Sequence, residues 1–147
     1  MSRTVLVLMV TLALLPLASV VAQDDPVLTS ATASFHTNGD DKNADTALTI
    51  SVEKGPNEYA IVDGINGQTF NDHSDNGPFE LKPEGTVHKS ALQNATTTLK
   101  IVTHGDDTWQ FNYFLTLEYS DGSRQRFQWF TKQLKENNNI LTLPLQQ

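Results

Sequence analysis

An alternation of apolar and polar residues, broken only at Phe114, runs through the stretch WQFNYFLTLEY, from Trp109 to Tyr119. Alternation with a period of two places one set of side chains on each face of a β-strand. The apolar face would hold Trp109, Phe111, Tyr113, Leu115, Leu117 and Tyr119. The turn-forming residues SDGS follow, and the next stretch, RQRFQWF, again places Phe127 and Trp129 two apart. The two stretches therefore predict a β-hairpin.

Six shorter runs repeat this pattern and predict six more strands. Their apolar positions are Ala31, Ala33 and Phe35; Leu48, Ile50 and Val52; Tyr59 and Ile61; Phe79 and Leu81; Leu99 and Ile101; and Leu141, Leu143 and Leu145. Clusters of Gly, Asn, Asp and Pro separate the runs, and almost no helical periodicity follows the first residues of the chain. About eight short strands with regular turn signals predict an all-β fold, an antiparallel β-sandwich.

The length of the chain fits a single sandwich domain, from residue 23 to residue 147. A sandwich buries the inward residues of its two sheets against each other. We therefore expect two packed antiparallel sheets with a common core. That core is expected to contain Phe35, Leu48, Ile50, Leu99, Ile101, Phe111, Tyr113, Leu115, Phe127 and Trp129.

The first 22 residues have the pattern of a secretory signal peptide. Arg3 precedes an apolar run from Val5 to Leu17, and small residues lead to a predicted cleavage site after Ala22. A membrane anchor is the alternative, but Pro16 interrupts the run, which is shorter than the ~20 apolar residues of a spanning helix. No later segment is apolar enough to span a bilayer. We therefore expect an exported protein, secreted to the extracellular space or the periplasm.

The composition of the chain excludes several classes of partner. It carries 17 Asp and Glu residues against 10 Lys and Arg, a net charge of −7 at pH 7. An acidic domain is poorly suited to nucleic acids, because binding them requires a basic surface. Bare attraction to anionic lipid is not expected either. No cysteine is present, so the domain must be stabilised by its core without disulfides.

The acidic residues gather in three segments between predicted strands, NGDDKNAD, DGINGQTFNDHSDNG and HGDDT. Calcium binds six to eight oxygen atoms from carboxylates, amides and carbonyls, commonly on loops, and these segments contain such ligands. The alternative is turn chemistry, since Asp, Asn and Gly are also the commonest turn-forming residues. DDKNAD lacks the central Gly and distal Glu of an EF-hand. The segments contain Asp40, Asp41, Asp45, Asp63, Asp72, Asp75, Asp106 and Asp107.

The order of these motifs resembles that of the PLAT domain, a β-sandwich found at the amino terminus of lipoxygenases, in lipases, in bacterial alpha-toxin and as a stand-alone secreted module. The resemblance extends from about Ala31 to Phe130. TNG, DDKN and NADTALTISV stand where the family has its first turn, polar loop and second strand. FNDHSDNGPFEL is similar to the next landmark, and GDDTWQFNYFLTLEYSDGSRQRFQWF to the last.

In calcium-binding PLAT domains the three landmarks meet at one end of the sandwich. The resemblance therefore implies a Ca²⁺ site here, with Asp45, the pair Asn71 and Asp72, and Asp107 on the acidic positions. Asn43 in the first loop and Asp75, beside Ser74, are the further candidate ligands implied. Members that insert into membranes carry a large aromatic residue at the tip of the first loop, and NGDDKNAD has none.

The resemblance implies a non-catalytic, calcium-assisted binding module for a lipid surface or an exported protein. One alternative is an interaction or structural sandwich that needs no metal. Another is a carbohydrate-binding module, for which only the rings of Phe114 and Phe130 fall opposite the predicted core face. An enzyme is not expected, because no G-x-S-x-G, H-E-x-x-H or cofactor motif is present. His104, near Asp106 and Asp107, is interpreted as a solvated loop residue.

Overall fold

The computed structural model describes residues 24–105 and 107–146, so the predicted signal peptide and Asp106 lie outside the described residues. Within these ranges no helix is long and apolar enough to cross a membrane. A 3₁₀ helix, η1 (Lys89–Leu92), accompanies eight strands. The strands are β1 (Leu28–Thr37), β2 (Ala47–Lys54), β3 (Asn57–Ile65), β4 (Asp75–Pro83), β5 (Thr96–Val102), β6 (Thr108–Tyr119), β7 (Arg124–Lys135) and β8 (Ile140–Pro144). The prediction of an all-β fold with about eight strands is confirmed.

The strands form one antiparallel sheet with the order β7-β6-β1-β4-β3-β2-β5-β8. The two halves of this sheet fold over each other and enclose a common core. They are joined through β4, which pairs with β1 over most of its length but with β3 only through Ala60–Pro83 and Ile61–Lys82. The layers of the sandwich are thus continuous, whereas we predicted two separate sheets. The difference arises because β4 changes partner near its end.

The core is a cluster of aromatic rings between the two layers. Burial alternates without a break along β6, as the sequence pattern predicts. Phe35, on β1, lies at the centre, with its ring centroid 4.9 Å from that of Trp109 and 5.1 Å from that of Tyr113. Nine of the ten predicted core residues are buried, and Trp129 is partly buried against the cluster.

Strand β3 presents the opposite face from the one predicted. The buried side chains of β3 are Ala60 and, at its last residue, Ile65, while Tyr59 and Ile61 are only partly buried. The sequence is ambiguous here because Tyr59, Ala60, Ile61 and Val62 are four successive apolar residues. Pairing with β2, which places Ala60 opposite Val52 and Val62 opposite Ile50, determines which of them face the core.

The β6–β7 hairpin is confirmed, but β7 is longer than the stretch RQRFQWF. A bulge at Thr131, which has a φ of 53°, lets the strand continue to Lys135. The side chain of Asn112 on β6 accepts a hydrogen bond from the backbone N–H of Thr131 at 3.0 Å. The bulge therefore keeps its exposed amide paired, and Leu134 reaches the core beyond it.

Tyr113 joins the two layers by a side-chain hydrogen bond, and this predicts a loss of stability in alkali. Its hydroxyl lies 3.0 Å from Oγ1 of Thr97 on β5. Burial raises the pKa of Tyr113 above its usual value of 10.0. Above pH 10 the unfolded chain releases this proton while the folded chain retains it. We expect stability to fall there by about 1.4 kcal/mol per pH unit from this group.

The measurement is urea unfolding from neutral pH to about pH 11, compared with the variant Tyr113→Phe. Other titrating groups are common to both proteins, so the comparison isolates Tyr113. The variant should be less stable at neutral pH, because Thr97 loses its partner, but should show a shallower alkaline decline. Equal slopes above pH 10 would show that Tyr113 ionises normally in the folded protein.

Candidate functional site

The three acidic loops meet at one end of the sandwich. We call this region the loop end and define it as residues 38–46, 66–74 and 103–107, without Asp106. Lys42 and Phe70 exchange two backbone hydrogen bonds, of 3.2 and 2.9 Å, between the first and second loops. The backbone N–H of Gly67 also donates to the carbonyl of Ala44 at 2.8 Å. The third loop joins through Asp107, so the three segments rich in acidic residues are neighbours in space.

The centre of the loop end is the side chain of Lys42, which is fully buried. Its Nζ donates three hydrogen bonds to backbone carbonyls: Asn43 at 3.0 Å, Thr46 at 2.7 Å and Gln68 at 3.0 Å. A lysine ammonium has three N–H donors, so every donor is used. The ammonium also lies 4.8 Å from the centre of the Phe70 ring, within range of a cation–π interaction.

Electrostatics at the loop end act on Lys42 in two directions. Burial lowers the pKa of Lys42, because the charged form loses its hydration. The negative charges of Asp107 and Asp45 act against this and favour the ammonium. The carbonyl oxygens of Asn43, Thr46 and Gln68 further stabilise the positive charge. The loop end thus contains a cation of its own, supplied by the chain.

Asp107 ties the third loop to the first. The residue is 6% exposed, and its Oδ2 accepts hydrogen bonds from the backbone N–H of Asn43, at 3.3 Å, and from the hydroxyl of Thr46. Its Oδ1 accepts from Nδ2 of Asn43 at 3.3 Å. Three donors therefore occupy the carboxylate. The structure brings together two of the residues predicted as calcium ligands, Asn43 and Asp107, as partners of each other.

The other four predicted ligands lie outside this contact. Asp45, Asn71 and Asp72 are exposed. The backbone carbonyl of Asn71 accepts a hydrogen bond from the hydroxyl of Ser74 at 2.6 Å, which closes a turn. Asp75 is at the start of β4, where Nδ1 of His36 contacts its carboxylate at 2.8 Å. Among the described residues none of these four side chains is hydrogen-bonded to Asp107, although Asp45, like Asp107, is close enough to Lys42 to favour its charged form.

Asp45, Asp72 and Asp107 are the three carboxylates that the resemblance places on one calcium ion. In the described part of the chain, no three His, Asp or Glu side chains are close enough to hold one metal ion. Calcium requires six to eight oxygen ligands, and here the carboxylate of Asp107 is occupied by protein donors. Calcium binding stays a prediction that only a measurement in solution tests.

Lys42 is the residue that the sequence analysis missed. The acidic residues of NGDDKNAD led to the prediction of a metal site, which gave no role to the lysine among them. The available signal was a lone basic residue between Asp41 and Asn43, in a segment with three aspartates. A lysine with opposite charges on both sides is a candidate for an internal ion contact, although only the path of the loops shows that it is buried.

A second polar cluster brings together a serine, a histidine and an aspartate near η1. The hydroxyl and the backbone N–H of Ser90 both donate to the carboxylate of Asp25. Nδ1 of His88 lies 3.1 Å from the backbone carbonyl of Asp25. A catalytic nucleophile needs a base that accepts its proton, with that base oriented by a third group. The Ser90 hydroxyl contacts the carboxylate instead of the imidazole, so this cluster lacks the order of a catalytic triad.

Comparison of the chain with models of protein families, with curated proteins and with solved structures gives no match. The fold and the site define an all-β sandwich whose loop end is organised around a buried lysine. The resemblance to the PLAT domain stays a prediction.

Proposed function

We propose that this protein is a non-catalytic binding module that acts without a bound metal ion. The observation that carries the proposal is Lys42, whose buried ammonium is fully hydrogen-bonded to the loop carbonyls. A cation at this position stabilises the loops as a bound calcium ion would. Because the lysine is part of the chain, the loops keep their shape at any calcium concentration.

The position of the charge also bears on how a partner is bound. A calcium ion that assists binding bridges loop carboxylates and an anionic group of the partner. The ammonium of Lys42 is buried and has no donor left, so it cannot form such a bridge. We therefore favour direct contact between protein side chains and the partner over docking on lipid phosphate through a metal.

Calcium should leave the thermal stability of the protein unchanged. A site with a dissociation constant on the order of 0.1 to 1 mM would add about 0.4 to 1.4 kcal/mol at ~1 mM calcium, or a few degrees in Tm. We expect no such rise, because a ligand stabilises only the state that binds it. The measurement is thermal unfolding of the mature chain in EDTA, magnesium and calcium.

Three variants separate this proposal from the calcium-assisted alternative. Asp72→Asn and Asp107→Asn remove predicted ligands, and Asp121→Asn removes a carboxylate in the β6–β7 turn. A calcium-selective rise in Tm that the first two substitutions weaken and the third preserves would overturn metal independence. Equal thermal unfolding curves of the wild type in EDTA, magnesium and calcium would support metal independence.

The pair of Phe114, which is partly buried, and Phe130, on the outer face of the β6–β7 hairpin, bears on the carbohydrate-binding alternative. The Phe114 and Phe130 rings contact each other edge to face, with centroids 6.2 Å apart and planes at 83°. Phe130 is 59% exposed. Rings that cross at this angle do not form a shared flat platform for stacking a sugar chain. This face therefore gives weak support to carbohydrate binding.

A further inference from the structure

An open cleft lies where the folded sheet fails to close. Strands β7 and β8 are the two ends of the strand order and are not hydrogen-bonded to each other. Residues from β7, from the segment after β8 and from the segment after η1 line a cleft with a volume of about 590 Å³. We call it the seam cleft. Its size falls in the range of small-molecule binding sites.

The seam cleft combines an apolar floor with several side-chain amides. Phe127 and Leu145, 6% and 8% exposed, form part of its apolar lining. Gln93, Asn94 and Gln146 are exposed along the lining, and Gln125 is partly buried. A side-chain amide offers both donors and an acceptor, which suits hydroxyl groups because these also donate and accept. In Gln125 the Oε1 already accepts a hydrogen bond from the Tyr119 hydroxyl, so this side chain offers its N–H donors.

The charged residues of the cleft are already engaged with neighbouring groups. Asp25 accepts two hydrogen bonds from Ser90. Nζ of Lys89 donates to the hydroxyl of Ser123 at 2.9 Å and lies 4.8 Å from the centre of the Tyr119 ring. The free hydrogen-bonding capacity of the cleft therefore belongs mainly to neutral amides. A ligand that matches it is uncharged, rich in hydroxyl groups and apolar on one face.

We propose that the seam cleft binds a neutral carbohydrate, with its hydroxyls on the amides of Gln93, Asn94, Gln125 and Gln146 and its apolar face toward Phe127. This inference rests on the proposed binding-module function and names its ligand class. Asn94, which lines the seam cleft, is also the first residue of Asn94-Ala95-Thr96, an acceptor sequence for N-glycosylation in eukaryotic hosts. The test therefore uses mature protein made in bacteria, so that no glycan occupies the cleft.

The experiment is saturation-transfer NMR with millimolar maltose, cellobiose, lactose and chitobiose as separate probes. We expect transfer to at least one probe, with shifts of the side-chain amide signals of Gln93, Asn94 and Gln125. Gln93→Ala should weaken binding about tenfold, the effect of losing one well-placed hydrogen-bonding group. Gln93→Trp should abolish it by filling the mouth of the cleft.

Gln133→Trp is the matched control, because this exposed glutamine lies on β7 near the loop end, far from the cleft. It should bind the same probe as the wild type does. Lack of transfer to all four sugars, or transfer that Gln93→Trp leaves intact, overturns the inference. Equal binding of glucuronate would overturn the neutral ligand class. Calcium independence is measured separately, so failure of this inference and failure of the proposed function are distinguishable.

Discussion

Replacing Phe35 by alanine is expected to destabilise the protein by about 3 to 5 kcal/mol, near the upper end of that range for a buried ring. The Phe35 side chain is 1% exposed. Its ring is within 6.2 Å, centroid to centroid, of five other rings, which belong to the neighbouring strands β4 and β6 and to the loop end. Truncation leaves a cavity that these rings cannot fill without leaving their own positions. The five neighbours are Phe70, Phe79, Trp109, Phe111 and Tyr113.

Urea unfolding followed by tryptophan fluorescence measures this loss, since Trp109 lies 4.9 Å from the ring that is removed. Phe130→Ala is the matched control, because Phe130 is 59% exposed. Its effect should remain within about 0.5 kcal/mol. A loss below about 1 kcal/mol for Phe35→Ala would contradict a packed position at the centre of the core.

Replacing Lys42 by methionine is expected to cost about 3 to 5 kcal/mol, the range seen when one partner of a buried ionic contact is removed. Methionine retains most of the apolar stem but offers no N–H donor. The carbonyls of Asn43, Thr46 and Gln68 then lose their shared donor, and the nearby charge of Asp107 loses its counterion. The loop end should loosen before the core does.

Lys100→Met provides the control for Lys42→Met, since Lys100 is an exposed lysine on β5. Its stability should stay within about 0.5 kcal/mol of the wild type. A second variant, Lys42→Ala, separates lost charge from lost packing, because ammonium ions can enter the space left by the side chain. Ammonium chloride should raise the Tm of this variant more than sodium chloride does. An equal response in the wild type would contradict a role for Lys42 as the internal cation.

Much of the strand content was predictable because most strands alternate cleanly. On β6 every second residue is apolar from Trp109 to Tyr119, so only one face can be buried. On β3 the four successive apolar residues from Tyr59 to Val62 satisfy either face, and the pairing with β2 decides between them. The continuity of the sheet was not predictable, since it depends on two residue pairs at the end of β4.

The sequence also predicted which loops form the candidate site, but not how their side chains are arranged. Composition predicts that the three loops are polar, and only the resemblance to the PLAT domain implied that they meet at one end. Whether the carboxylates converge there depends on the backbone path of each loop. The alternation of apolar and polar residues in the strands contains no information about that path. In the structure Asp107 turns toward Asn43 and Thr46, while Lys42 occupies the space among the carbonyls. Only the backbone path of the loops shows that this lysine is a buried, fully hydrogen-bonded cation.

The position of β1 in the sheet has a consequence for the order of folding. β1 lies between β4 and β6, and Ala33 is paired with Phe79 on one side and with Leu115 on the other. Pairs so distant along the chain close slowly, and proteins dominated by them fold in milliseconds to seconds. The first strand to be synthesised therefore waits for the sixth before its hydrogen bonds are complete. During synthesis the core therefore cannot close until β6 has emerged.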